Sequence, residues 1–202
     1  MWASTDLELA VTQFEKMTGV RPAYGGRHPG FGTQNSLVSL AQGRYMEVLA
    51  LDPAQQVSNP IVNKITGLDE PSIIAFHVQS NELEEVARIL AKNNISSKGP
   101  VSMQRQRPDG GILRWRLLFP DTRDFGYAIP IFIDWMNSPH PSKTAPTGCE
   151  LLRFEVAHPR HDTLSEIYRQ LGIELTVVDS SQPGARAILA SPNGQVILRG
   201  QL

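Results

Sequence analysis

The 202-residue chain has a single cysteine, Cys149, which excludes an intrachain disulfide and any cysteine-based zinc site. In its apolar strand context that thiol reads as a small buried residue with no catalytic role. No apolar run approaches the length needed to cross a membrane. The opening "MWASTDLELAV" has neither the basic segment nor the apolar stretch of a secretory leader, so a cytoplasmic location is expected. Charge of one sign is scarce too. Lys and Arg number 19 against 20 Asp and Glu, a net charge of −1, which argues against a sequence-independent nucleic-acid binder. The most basic runs, "RPAYGGR" and "QRQR", read as solvated surface. What is present, 41% hydrophobic and 19% charged residues, suits a globular protein with a proper core.

Three amphipathic helix patterns stand out. "STDLELAVTQFEKMTGV" repeats Leu7, Ala10, Val11, Phe14 and Met17 behind a Ser4/Thr5/Asp6 cap. "SNELEEVARILAKNNI" repeats Leu83, Val86, Ile89 and Leu90, and "HDTLSEIYRQLGI" repeats Leu164, Ile167, Tyr168 and Leu171. Strand-like runs precede the second and third helices, at 72–78 and 149–156. Three more follow each helix: 21–24, 33–40 and 44–51; then 96–103, 112–119 and 128–135; then 174–178, 185–190 and 194–199. The turns "AQGR", "PDGG", "SQPG" and "SPNG" separate them. The chain therefore reads as β-α-β-β-β three times, with a period of about 75 residues. "AFHVQSNELEEVARIL" overlays "RFEVAHPRHDTLSEIY" without a gap. Module one spans 1–55, module two 70–140 and module three 148–202, expected to pack as one body. Only Met1, Trp2 and Ala3 stand where module one should have a full opening strand.

The stretches "GGRHPGFGTQNSLVSL", "GRYMEVLALDP" and "IPIFIDWMNSPHPS" resemble the glyoxalase-like domain branch of the vicinal oxygen chelate superfamily. That superfamily includes glyoxalase I, extradiol dioxygenases and fosfomycin- or bleomycin-resistance proteins. The resemblance implies an α+β fold of repeated βαβββ modules. Two of them curl into a cupped half-barrel around a divalent metal such as Fe, Mn, Zn or Ni, and a third similar module stands at the C-terminus. It places Glu47 on the closing strand of module one and Asp134 at the matching place in module two. A carboxylate in an apolar strand needs a cation, hydrogen-bond donors or a metal. Glu47, His77 and Asp134 are thus the candidate metal ligands, with Glu47 and Asp134 the candidate catalytic carboxylates. The histidine that the superfamily carries on each opening strand has no counterpart in module one and is displaced to His77 in module two. Arg44, Arg114 or Arg116 would be alternative holders of Glu47.

His28, Asn35, Tyr45, Arg114, Arg116 and Trp135 are the candidate substrate contacts. The two arginines suit an anionic substrate if they face the cup, and ordinary surface if they face solvent. Thr33 reads as pinning its turn, His140 as structural or at the rim, and His158 and His161 as solvated. The glycines of "GGRHPGFG" do not form a phosphate loop, since no strand–loop–helix order surrounds them. Two functions follow from the resemblance: a metal-assisted lyase, isomerase or oxygenase on a small oxygenated substrate, or a metal-free small-molecule binding or sequestering protein. Module three would either pair with a second copy, making a homodimer, or cover a sheet edge left by the clipped first strand.

Overall fold

The structure, a computed structural model, describes residues 1–106 and 110–202. Residues 107–109, the last of "QRQR" and the first two of the expected "PDGG" turn, lie outside the described residues. Module one runs β1 (Trp2–Ser4), α1 (Leu7–Thr18), β2 (Ala23–His28), β3 (Thr33–Ser39) and β4 (Tyr45–Leu51). The Asp6 carboxylate accepts a hydrogen bond from the Leu9 amide to start α1, and Gly19, at φ +77°, ends it in a left-handed cap. A short helix that the sequence reading missed, α2 (Pro60–Thr66), and β5 (Ser72–Ile73) fill the linker.

Module two runs β6 (His77–Gln79), α3 (Leu83–Lys92), β7 (Ser97–Gln106), β8 (Ile112–Pro120) and β9 (Ile131–Asp134). Its strand order is β6-β9-β8-β7, matching β2-β3-β4-β1 of module one read from the other end, where β5 adds an edge. In both modules the opening strand lies parallel to the closing strand: Ala3 opposite Leu49, and Val78 opposite Phe132. β1 is bracketed by β4 and β5.

Module three runs β10 (Glu150–His158), α4 (His161–Gln170), β11 (Thr176–Asp179), β12 (Gly184–Ser191) and β13 (Gly194–Gly200). It repeats the element order but not the strand order, which is β11-β10-β12-β13. Here the strand after the helix, rather than the last one, lies parallel to the opening strand.

Helices α1, α3 and α4 all pack on the backs of the sheets, where Phe14, Val48, Leu90, Phe132, Leu164 and Tyr168 belong to one core. Each such side chain, fully buried, contributes about 1.5–3 kcal/mol. The Tyr168 hydroxyl donates to the Ala128 carbonyl, tying module three to module two. Module three also reaches module one: the Leu151 amide donates to the Leu40 carbonyl at 3.1 Å. At its far end β13 lies against β5, where a Cβ on Gly200 would collide with the Ile73 backbone. The last module thus covers the edge of the first sheet. Among the described residues, no helix is long and apolar enough to cross a membrane.

Candidate functional site

The front faces of the first two sheets enclose a cavity of about 820 Å³. Alternation along each strand decides what lines it. From β3 come Thr33, Asn35 and Leu37, and from β4 come Tyr45, Glu47 and Leu49. Across the cup, β8 offers Trp115, Leu117 and Phe119, and β9 with the residue after it offers Ile131, Ile133 and Trp135. One half of the cup is therefore polar at its centre and the other apolar and aromatic.

Glu47 is the centre of the polar half. Its Oε1 accepts a 2.5 Å hydrogen bond from Asn35 Nδ2, and His28 Nε2 lies 3.8 Å away. The Asn35 amide nitrogen also lies 3.3 Å from His28 Nε2, so that ring nitrogen is the acceptor. His28 Nδ1–H then donates to Thr33 Oγ1 at 2.9 Å. The other end of the Asn35 amide accepts from Arg105 Nη1 at 3.3 Å. Charge thus fixes which way the amide points: its oxygen toward the guanidinium, its nitrogen toward the carboxylate. Among the described residues no hydrogen bond reaches Glu47 Oε2.

Burial acts to raise the Glu47 pKa, but the charge that His28 and His77 can carry, with the Asn35 hydrogen bond, brings it below its ordinary value. Burial pulls both histidines down, His77 to about 4. Burial, then the Glu47 charge, pushes the Tyr45 phenol well above its usual range. The Met1 amine stands in the same cluster, its pKa drawn down to about 6 by burial against the opposing pull of the Glu47 charge.

The structure places Glu47, His77, His28, Asn35, Tyr45 and Trp135 on the cup. It turns Asp134, Arg114 and Arg116 away. Asp134 follows Ile133 on β9 and so shares the back face with Phe132. There its Oδ2 accepts from Arg116 Nη2 at 2.8 Å, and its Oδ1 from the Met136 amide at 2.8 Å. Arg116 follows Trp115 and faces the same side, bonding Glu84 as well. Arg114 lies exposed on that face. The expected symmetry between Glu47 and Asp134 fails: by the pairing with the opening strand Ile131 stands where Glu47 does, and Asp134, three residues on, faces the other side. His158, expected in solvent, is buried against Phe125. His140 packs edge-on to Tyr45 and Trp135 at the aromatic end of the cup.

The divalent metal implied by the resemblance does not fit these residues. Asp134 cannot join Glu47 and His77 from the opposite face. His28 could be thought to replace it, but the Asn35 amide hydrogens point at both Glu47 Oε1 and His28 Nε2, where an ion would have to sit. Among the described residues, no group of three or more His, Cys, Asp or Glu side chains is arranged to hold a metal.

Sequence reasoning missed three contributors. Arg105 came from a run read as surface, yet it is buried. Its entry explains the paired glycines, since a Cβ on Gly25 would lie 2.7 Å from Arg105 Nη1 and one on Gly26 would lie 2.9 Å from Arg105 Cδ. The second is α2, which brings Pro60 and Ile61 to the cup wall, capped by Asn59 Oδ1 accepting from the Val62 amide. The third is Gln55, whose side-chain amide donates to the His28 carbonyl and accepts from the Gly30 amide, holding the β2–β3 turn. Polar residues beside proline and glycine read as linker, and only their partners reveal their use.

Comparison with solved structures finds a hypothetical protein from Staphylococcus aureus at 18% identity and a TM-score of 0.63, covering 99% of this chain and 83% of that one. A Streptomyces coelicolor methylmalonyl-CoA epimerase variant in complex with 2-nitronate-propionyl-CoA is similar at 12% identity and a TM-score of 0.50. That match covers 69% of this chain and 94% of the epimerase. Such identities speak to the fold alone. A comparison with curated proteins gives no significant match. The model of the glyoxalase-like domain matches residues 1–172. The chain belongs to the glyoxalase-like domain family.

Proposed function

We propose that the cup binds a small organic molecule and that Glu47 receives a proton, or a hydrogen bond, from that molecule's polar end. One observation carries the reading: a buried carboxylate, held through Oε1 by Asn35, whose Oε2 takes no hydrogen bond among the described residues. A general base must be ionised, fixed in direction and within hydrogen-bond reach of what it deprotonates. Asn35 supplies the direction, and the apolar walls exclude the water that would otherwise compete. The cavity volume and its apolar lining with few convergent polar groups match the general character of ligand sites.

Trp115 and Trp135 line the cup, so their fluorescence reports occupancy. A screen of small aromatic and alicyclic compounds is expected to give saturable quenching for a chemically related subset. Any ligand with an acidic C–H should exchange it with solvent deuterium in the parent protein and not in Glu47→Gln. If no compound quenches saturably, the binding reading is wrong; if ligands bind but none exchanges, the proton-transfer half is.

A further inference from the structure

The buried end of the cup gathers hydrogen-bond donors around Glu47, and most of them are already engaged. The Asn35 amide spans Glu47 Oε1 and Arg105 Nη1. The Met1 nitrogen donates to the Ala75 carbonyl at 2.9 Å, and His28 Nδ1 lies 2.9 Å from Thr33 Oγ1. His77 differs. It lines the cavity half-buried, and among the described residues its ring makes no hydrogen bond. Neither of its ring nitrogens is sealed from solvent.

Strand pairing brings this ring near Glu47 without letting the two touch. β1 lies next to β4, with Trp2 opposite Val48, which sets Met1 alongside Glu47. The Ile74 amide donates to the Met1 carbonyl at 3.2 Å, and the Ala75 contact carries the seam on toward β6. There His77 stands opposite Ile131 and faces the cup from the second sheet. Among the described residues His28 alone comes within ion-pair distance of Glu47, so space remains between His77 and the carboxylate. Burial draws the His77 pKa to about 4 against the pull of the Glu47 charge. At neutral pH the ring is therefore uncharged, with one N–H and one lone pair.

We propose that His77 anchors the ligand of this cup and that the ligand is an uncharged ketone on an apolar body. The His77 N–H holds the ketone oxygen, and Glu47 Oε2 meets a hydrogen on the adjacent carbon. This rests on the reading of Glu47 as the proton acceptor and adds the group that makes the proton acidic. A hydrogen bond to the oxygen strengthens as charge develops there, and a neutral imidazole can serve beside an ionised carboxylate. Glu47 takes the α-proton, the C–H electron pair forms the C=C bond of an enolate, and the carbonyl π pair moves to oxygen. Return of the proton to carbon restores the ketone, so no other reactant is consumed. A neutral ligand suits an end that holds a carboxylate and a guanidinium together, since either sign of charge would meet one of its own. The walls of Leu49, Trp115, Leu117 and Ile133 match a hydrocarbon body.

The test uses 2-tetralone, carbon-13-labelled at the carbonyl, titrated into the protein at neutral pH. The infrared carbonyl stretch of the bound ketone is expected at lower frequency than in an apolar solvent. In nitrogen-15-labelled protein the His77 ring N–H signal should move downfield on binding. In His77→Phe the stretch should return to its apolar-solvent position, and in His77→Gln, whose amide still donates, part of the displacement should stay. Exchange of the α-hydrogen with solvent deuterium should fall roughly 100-fold in kcat for His77→Phe, with KM changed less than about threefold. Both spectroscopic shifts are read in the parent protein, so a variant that fails to fold does not spare the proposal. A bound ketone with neither shift overturns it, as does tighter binding of the alcohol 2-tetralol. Both shifts without exchange in the parent protein would uphold the His77 contact and remove the proton-transfer role of Glu47. If the ketone does not bind, the ketone assignment is wrong, and the broader fluorescence screen then judges the cup on its own.

Discussion

The two halves of the cup come from modules with the same strand order, yet they differ in what their closing strands present. On β4 the residues facing inward are Tyr45, Glu47 and Leu49; on β9 they are Ile131, Ile133 and Trp135. The acidic residue of β9 exists but looks the other way. One half is thereby an aromatic and aliphatic wall, and its carboxylate forms a structural pair with Arg116 on the back of the sheet. Repetition of a fold therefore does not repeat its chemistry, because the pleat assigns neighbours to opposite faces.

Adjacent truncations on β9 give the largest expected contrast. Phe132→Ala opens a cavity in the packed back of the sheet and should lower stability by about 3–5 kcal/mol in urea unfolding. Ile133→Ala, one residue on, enlarges a cup that is already open and should lose clearly less. Equal losses would mean that the two faces are packed alike.

Acid should act through the cup. Burial takes His77 from 6.5 to about 4, so between those values the unfolded chain binds a proton that the folded chain refuses. Stability is then full above about pH 6.5 and drops as the pH falls toward 4, by roughly 3 kcal/mol for this group. Burial lowers His28, His140 and His158 as well, adding to the fall in the same direction. His77→Gln should retain more of its neutral-pH stability at pH 4.5 than the parent; an unchanged urea-midpoint profile would exonerate His77.

The two carboxylates should separate cleanly. Asp134→Asn weakens the bonds to Arg116 and should reduce stability by about 1–3 kcal/mol while leaving ligand affinity unchanged. Binding lost along with stability would put Asp134 back in the site. The smallest effect concerns the cup wall: Asn59→Ala removes the cap of α2 and should cost about 1 kcal/mol, read as faster proteolysis within residues 53–68.

Much of this was legible beforehand. The helices announced themselves by spacing and caps, and Glu47 stood out as a lone carboxylate inside an otherwise apolar strand. On β9 the apolar run left the facing of Asp134 undecided: Ile131, Phe132 and Ile133 are all buried, two toward the cup and one toward the helices. A strand apolar on both faces conceals which face its neighbours take. Arg105 was hidden for the opposite reason, since only the glycine gap on β2 makes room for a cation there. The strand order of module three was not legible at all, because the same βαβββ sequence of elements accommodates two sheet orders. Long-range pairing decides between them.

The contact between Gly200 and Ile73 bears on how the chain is made. A ribosome delivers module one first, but the edge of its sheet is sealed by β5 and then by β13, with the Leu40 carbonyl met only when Leu151 arrives. Until β13 has emerged, the nascent first sheet keeps an open border. Its maturation is thereby deferred to the completion of module three, and the interval is one in which chaperones have something to hold.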